Sequence, residues 1–282
     1  MICQWDAYLR LFPLWLRSDL EKIGADNLLE TRLRLGQQTQ VVMNKDSMWM
    51  PQIVRGEDID FVVNAASKYS PWSASGMPDG YITADGGHRV GICGHTTVVN
   101  GRITGFTEIT SVCVRVSKDF VGIANRAKSL RGSVLIIGPP GSGKTTMLRD
   151  LIRQKNNDGT DCVAVVDEKS EVFPRQGRTL SFFAGKNTDV ISGCTKKCGI
   201  TRVLKNMTPQ IIAVDEITSE EDCDALIHAG WCGVHLIATA HATDKSDLLN
   251  RPIYKRILEA GLFDYLIVLR KDKSWYTERV AL

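Results

Sequence analysis

The spacing of apolar residues changes character about halfway along the chain. From Glu30 to residue 116 most of it reads as strands. Arg32, Leu33, Arg34 and Leu35 alternate polar and apolar, and Val41 to Met43 follow a turn, which predicts a hairpin. Glu57 to Tyr69 switches to helical spacing, with Ile59, Val62, Val63 and Ala66 on one face. Asp85-Gly86-Gly87 predicts a turn between Tyr81–Thr83 and His88–Ile92. Asn100-Gly101 predicts a tight hairpin turn between Val98–Val99 and Arg102–Thr104. Val112, Val114 and Val116 alternate with Cys113 and Arg115, so Arg115 points away from the valine face. Ahead of this region Leu9, Leu11, Phe12, Leu14, Trp15 and Leu16 form an apolar patch broken by Pro13. Helices there either pack on the first domain or, with Arg10 and Arg17 flanking the patch, lie on a membrane or partner surface.

Asp119 to Leu130 reads as a helix leading into a second domain. Beyond it, short apolar runs alternate with helical stretches, as a parallel sheet with crossover helices requires. We therefore expect a small α+β domain over residues 1–117 and an α/β domain over 118–282. Val134–Ile137, Val163–Val166, Ile211–Val214 and Leu236–Ala240 read as buried parallel strands, with Leu266–Leu269 as a fifth. The first four end in residues that can do chemistry: a glycine-rich loop, Asp167-Glu168, Asp215-Glu216 and His241. Ligands of open α/β sheets bind outside the carboxyl ends of the strands, so these ends are expected to share one crevice.

The loop after Val134–Ile137 sets the kind of ligand. Gly138, Gly143, Lys144 and Thr145 complete G-x-x-x-x-G-K-[ST], and Met147, Leu148, Leu151 and Ile152 continue it at helical spacing. A phosphate-binding loop between a strand and a helix points to an α/β P-loop NTPase fold with a RecA-like parallel-sheet core. The expected nucleotide contacts are Gly138, Pro139, Pro140, Gly141, Ser142, Gly143, Lys144, Thr145 and Thr146. Pro139 and Pro140 have no N–H, so the donors must be the amides of Gly141 to Thr145, at a helix N-terminus where the dipole also favours an anion. Lys144 reaches the β/γ-phosphates of ATP, and Thr145 with Asp215 holds Mg²⁺. Glu216 is placed to activate water. Glu168 is a second candidate for positioning water or touching the metal, unless Asp167-Glu168 instead caps a helix or pairs with Lys169 or Arg175. His241, at its strand end, is a candidate contact to the γ-phosphate, and the other four histidines read as structural.

Composition narrows this only slightly. A chain of 282 residues, 24% charged and 43% hydrophobic, is an ordinary globular protein of about two domains. A net charge of +3 gives no reason to expect a nucleic-acid ligand. Eight scattered cysteines without a signal-peptide pattern suggest a reduced cytosol. Cys194 and Cys198 lack a second pair at zinc-site spacing. No apolar stretch approaches the roughly 20 residues that span a bilayer.

Several longer stretches carry a resemblance. Leu28-Leu29-Glu30-Thr31-Arg32-Leu33-Arg34, Gly80-Tyr81-Ile82-Thr83, Gly87-His88-Arg89-Val90-Gly91, Asp167-Glu168-Lys169-Ser170-Glu171, Thr188-Asp189-Val190, Met207-Thr208-Pro209 and Thr239-Ala240-His241 stand in this order around the phosphate loop and Asp215-Glu216. Together they resemble the stage III sporulation AA family, relatives of the type II and type IV secretion and pilus ATPases. The resemblance implies a hexameric ATPase, in the cytoplasm of the mother cell or at the cytoplasmic face of a membrane, acting on a membrane-embedded secretion-channel partner. It also implies that strand arginines of the N-terminal domain reach the phosphates. Arg89, Arg102 and Arg115 are the candidates here, Arg89 first. The chain departs from the family pattern at Thr218, where glycine is expected, at Thr195 in place of proline, and at Lys205-Asn206 in place of Arg-Ser.

Two other readings use the same loop. One is a RecA-like motor driven by nucleic acid, for which Lys196, Lys197, Arg202 and Lys205 form the one basic cluster. The other is a scaffold that binds nucleotide without hydrolysing it.

Overall fold

The change of period in the sequence becomes two large sheets, one antiparallel and one mostly parallel, in a computed structural model that describes residues 1–68, 80–156, 161–176 and 178–280. By its contacts the chain falls into two units, Met1–Asp119 with Pro174–Ser181, and Phe120–Phe173 with Phe182–Leu282.

The first unit opens with α1 (Trp5–Arg10) and α2 (Leu14–Ile23), separated at Pro13, whose fixed φ of −57° starts the second helix. Then come β1 (Leu28–Arg34), β2 (Gln38–Met43), β3 (Ser47–Ile53), α3 (Gly56–Ser67), β4 (Tyr81–Thr83), β5 (Arg89–Val99) and β6 (Arg102–Arg115). The strands form one antiparallel sheet in the order β3-β2-β1-β6-β5-β4. The α3 face read from the sequence is the buried one; the expected end of that helix at Tyr69 lies outside the described residues. The β5–β6 hairpin turns through Asn100 and Gly101, both with positive φ (52° and 74°), the conformation a two-residue turn of this kind demands.

The N-terminal helices belong to this unit's core. Leu9, Leu11, Phe12, Leu16 and Leu20 are buried with Leu33, Val41, Val90, Val112 and Val114 from the sheet and Ile59 and Val62 from α3, while Leu14 alone of the patch stays largely exposed. The first of the two expectations for this patch is therefore the one observed. Tyr8 donates its hydroxyl proton to Val114 O at 3.1 Å inside that core. His88 is equally buried. Its Nδ1 accepts from Ser117 N at 3.0 Å, so the proton sits on Nε2 and is given to Gln4 O at 3.0 Å. Burial holds its pKa below the usual histidine value.

The second unit contains β7 (Val134–Ile137), α4 (Lys144–Lys155) and β8 (Val163–Asp167). Residues Pro174–Ser181, grouped with the first unit, form a short hairpin of β9 (Arg175–Gln176) and β10 (Thr179–Leu180). Then follow β11 (Thr188–Ser192), α5 (Lys196–Asn206), β12 (Ile211–Val214), α6 (Glu220–Trp231), β13 (His235–Ala240), α7 (Lys245–Leu249), α8 (Pro252–Glu259), β14 (Tyr265–Leu269) and β15 (Trp275–Arg279). The sheet order is β11-β8-β12-β13-β7-β14-β15, parallel throughout except for β15 at one edge. The four central strands are buried runs of Val, Ile, Leu and Ala covered by Ile200, Val203, Leu226 and Ile257 from the helices, which is why they read so clearly in the sequence.

One sequence expectation fails here. Asp119 to Leu130 is not an α-helix; its only helical piece is one 3₁₀ turn at Asn125–Ala127. Gly122 takes a left-handed φ of +89°, and the Asp150 carboxylate of α4 accepts the amides of Gly122 (3.1 Å) and Ala124 (2.8 Å). Those amide bonds and that glycine turn the backbone out of helical geometry.

Candidate functional site

Because β7, β8, β12 and β13 are parallel neighbours, their carboxyl ends lie along one edge of the sheet. Gly138 opens the loop where space is shortest: a Cβ there would lie 2.6 Å from Ser142 Oγ and 2.9 Å from Leu269 O. Gly143, at φ +99°, turns the loop into α4 as its N-cap. The amides of Gly143, Lys144 and Thr145 then stand at the first turn, where no preceding carbonyl accepts them. Ser142 was expected among these donors but gives its N–H to Pro139 O at 3.2 Å; the turn at Pro139–Pro140 closes on itself. The Ser142 hydroxyl is buried with no partner among the described residues. Unsatisfied donors at a helix start beside an orphaned hydroxyl suit a phosphate.

Lys144 is buried, and its ammonium uses all three protons. They go to Gly138 O (2.9 Å), Pro139 O (3.2 Å) and His241 Nδ1 (3.0 Å). Since Nδ1 accepts, His241 carries its proton on Nε2, which faces Glu216 Oε1 at 3.1 Å. Lys144, His241 and Glu216 thus form one chain from the phosphate loop to the β12 end. Burial lowers the Lys144 pKa, and the charges of Glu216 and Asp215 oppose that shift.

A second chain runs beside it. Thr145 Oγ1 donates to Asp215 Oδ2 at 3.0 Å, and Thr239 Oγ1 donates to Asp215 Oδ1 at 2.6 Å. Thr239 also accepts the Glu216 amide at 2.8 Å. That amide bond holds Glu216 in a left-handed φ of +33°, a costly conformation for a residue with a side chain. Thr145 and Asp215 present a hydroxyl and a carboxylate to one another, an all-oxygen pair that suits Mg²⁺ completed by water and phosphate oxygens. Thr239 is a site residue that sequence reading missed; its one signal is being the sole hydroxyl in the apolar run Leu236–Ala240. Replacing it by valine keeps the shape and removes both hydrogen bonds. We expect Thr239→Val to lower unfolding free energy by about 1–3 kcal/mol in urea titrations, with nucleotide affinity reduced as well.

The β8 end divides its two acids. Asp167 is buried and accepts the amides of Glu171 (2.9 Å) and Phe173 (2.8 Å), so it braces the following loop. Burial raises its pKa against the pull of those amides. Glu168 instead pairs with Lys196 at 2.6 Å, a partner from α5 rather than the expected Lys169 or Arg175. Asp167, Glu168, Lys196, Asp215 and Glu216 line one cavity of about 140 Å³. Lys196 also lies 3.6 Å from Asp222, the capping acid of α6. It is turned inward and is lost to the basic cluster, whose remaining members Lys197, Arg202 and Lys205 lie on the open side of α5.

Two of the departures from the family pattern, Thr218 and Thr195, have local partners. Thr218 gives its amide (3.0 Å) and hydroxyl (3.3 Å) to Asp222 Oδ2 and so joins the α6 cap. Thr195 has φ −62°, a value proline would share, and its hydroxyl caps α5 by accepting Cys198 N. Of the arginines, Arg89 on β5 lies over the Tyr81 ring at 3.9 Å, and Arg115 at the end of β6 stands 3.5 Å from Glu30. Arg102 is exposed beside the hairpin turn.

The profile of the family described as "Sporulation stage III, protein AA" matches residues 7–279. The chain is 33% identical over 277 residues to stage III sporulation protein AA of Bacillus subtilis, covering 94% of this chain and 90% of that one. Among solved structures, the ATPase DotB of Legionella pneumophila aligns over 96% of this chain and 80% of its own, with a TM-score of 0.57 at 14% identity. The pilus retraction motor PilT with bound ADP aligns over 89% and 76%, with a TM-score of 0.63 at 14% identity. At these identities the likeness is one of fold, and the fold is that of P-loop secretion and pilus ATPases. Among the described residues no helix is long and apolar enough to cross a membrane.

Proposed function

The chain belongs to the stage III sporulation protein AA family, and from that premise we propose that it is an ATP-hydrolysing motor of the secretion-ATPase kind with a RecA-like core, energising transport or assembly at a sporulation channel. The observation that carries this reading is the chain of contacts Lys144–His241–Glu216 beside Thr145–Asp215. It joins a cation, an imidazole and a carboxylate at the mouth of a phosphate loop.

On this reading the residues divide the work as follows. Gly138 to Thr146 bind the triphosphate, with Lys144 on the β/γ-phosphates. Thr145 and Asp215 would hold Mg²⁺, which supplies charge neutralisation to the phosphates when bound. Glu216 takes the proton of the attacking water. His241, between Lys144 and Glu216, is placed to change partners when a γ-phosphate engages the lysine. Glu168, held by Lys196, faces the same cavity and helps position water. Arg89 and Arg115 are proposed to act on the nucleotide of a neighbouring copy, where a guanidinium stabilises transition-state charge. That last role requires a homo-oligomer, with a hexamer as the expected ring, docked on a membrane-embedded partner at the cytoplasmic face.

Mass measurement by light scattering tests both halves of the reading. We expect the 31.3 kDa chain to shift to a ring-sized assembly with Mg²⁺ and a non-hydrolysable ATP analogue. A chain that ignores the analogue at millimolar concentration contradicts the motor.

A further inference from the structure

Glu216 and His241 leave the sheet from neighbouring parallel strands, β12 and β13, and both side chains are partly open to solvent. Packing around the side chains therefore does little to keep His241 Nε2 at 3.1 Å from Glu216 Oε1. The spacing has to be set through the backbone that carries them. Thr239 does part of this. Its hydroxyl accepts the Glu216 amide at 2.8 Å, and its carbonyl accepts Ile217 N at 2.9 Å. Neither bond reaches His241.

A second clamp is built on Tyr254 of α8. Its hydroxyl proton goes to Ile217 O at 3.1 Å, and the same oxygen accepts His241 N at 3.4 Å. One oxygen thus joins the residue after Glu216 to the backbone of His241. Tyr254 and Ile217 are buried, so water does not compete for that carbonyl. The helix that carries the ring is itself held. Cys223 Sγ of α6 donates to Ile253 O at 3.7 Å, and Ile257 and Leu258 belong to the same buried cluster as Leu226. Asp247 accepts Thr243 N at 2.9 Å and pairs with Arg251 at 3.0 Å, which closes the path from His241 back to α8. Burial raises the phenol pKa against the pull of the His241 amide, so the hydroxyl keeps the proton it donates.

We propose that Tyr254 is a positioning residue for hydrolysis: its hydroxyl fixes the distance between Glu216 and His241 by holding Ile217 O and His241 N on one oxygen. The inference rests on the reading of Glu216 as the base. Both hydrogen bonds of Tyr254 go to main-chain atoms at the strand ends. The expected phosphate contacts lie instead on the loop and the first turn of α4. Tyr254 is therefore a residue of turnover and not of nucleotide binding.

Tyr254→Phe keeps the buried ring and removes both bonds. For the full chain we expect kcat for phosphate release from MgATP to fall about tenfold, because small displacements of reacting groups are costly in rate. KM, and the calorimetric affinity for a non-hydrolysable ATP analogue, should stay within about twofold. Urea midpoints on the same preparations check that the variant is folded. The second arm repeats the substitution in Glu216→Gln and follows single turnover with enzyme in excess. There Tyr254→Phe should slow the residual rate by less than about twofold, since the distance it sets no longer serves a base. An unchanged kcat in the single variant overturns the role. So do parallel losses in kcat and analogue affinity, which signal a general distortion. A full tenfold loss in the Glu216→Gln background also overturns it, since Tyr254 would then act independently of the base. If Glu216→Gln hydrolyses as fast as the wild-type chain, or the wild-type chain releases no phosphate, the base reading itself fails.

Discussion

Glu216→Gln is expected to bind MgATP within about threefold of the wild-type chain and to turn it over about a thousandfold more slowly. The carboxylate and the amide have nearly the same shape, and the His241 Nε2 proton can still be accepted by the amide oxygen. The backbone constraint is also unchanged, because φ of +33° is held by the Glu216 amide on Thr239 and not by the side chain. What the substitution removes is basicity. The half-exposed position of Glu216 gives water access to it, unlike Asp167, whose oxygens are taken up by amides. Phosphate release and equilibrium binding measured on the same preparation separate the two effects. Normal turnover in the glutamine variant would remove Glu216 from the role of base.

Lys144→Ala is expected to lower nucleotide affinity at least a hundredfold. Charge-assisted hydrogen bonds to phosphate contribute about 1.5–3 kcal/mol each, and this ammonium is a buried cation bonded to the loop carbonyls of Gly138 and Pro139. The variant should fold. The ammonium is a desolvated charge, and its pKa lies below the ordinary 10.5 because burial outweighs the attraction of Glu216 and Asp215. The linkage has a definite sign. Below the folded-state pKa both states are protonated, and the cost of burying the charge is fully present. Between that pKa and 10.5 the unfolded chain holds more protons, so stability gains with rising pH. Lys144→Ala lacks that gain, and urea midpoints for the two proteins across an alkaline pH series should converge as the wild-type cost is relieved.

The chemistry at the strand ends was legible in the sequence because each central strand is a short apolar run ending abruptly in a polar residue. A parallel sheet with both faces covered leaves no other place for Asp215, Glu216 or His241. The edges were less legible. β11 and β15 are half-exposed and mix Thr, Asp, Ser, Glu and Arg into the strand, so no buried-strand pattern marks them. The segment 119–130 has helical composition, yet Asp150, distant in sequence, takes the amides that a helix would use. Lys196 looked like one member of a basic cluster because nothing local announces that Glu168 and Asp222 surround it. Thr239 bonds to Asp215 and Glu216 at the end of the neighbouring strand, and single-residue reading has no means of finding such partners. The pairing of Arg89 with Tyr81 and of Arg115 with Glu30 lies equally beyond it, although alternation along β6 did place Arg115 on the exposed face.

Release of inorganic phosphate from MgATP by the purified full chain, run beside Glu216→Gln at equal nucleotide occupancy, is the most direct test of the motor. The account predicts steady turnover by the wild-type chain and a flat trace from the variant. Saturable ATP binding with equally flat traces from both would contradict hydrolysis and leave a nucleotide-dependent scaffold in its place.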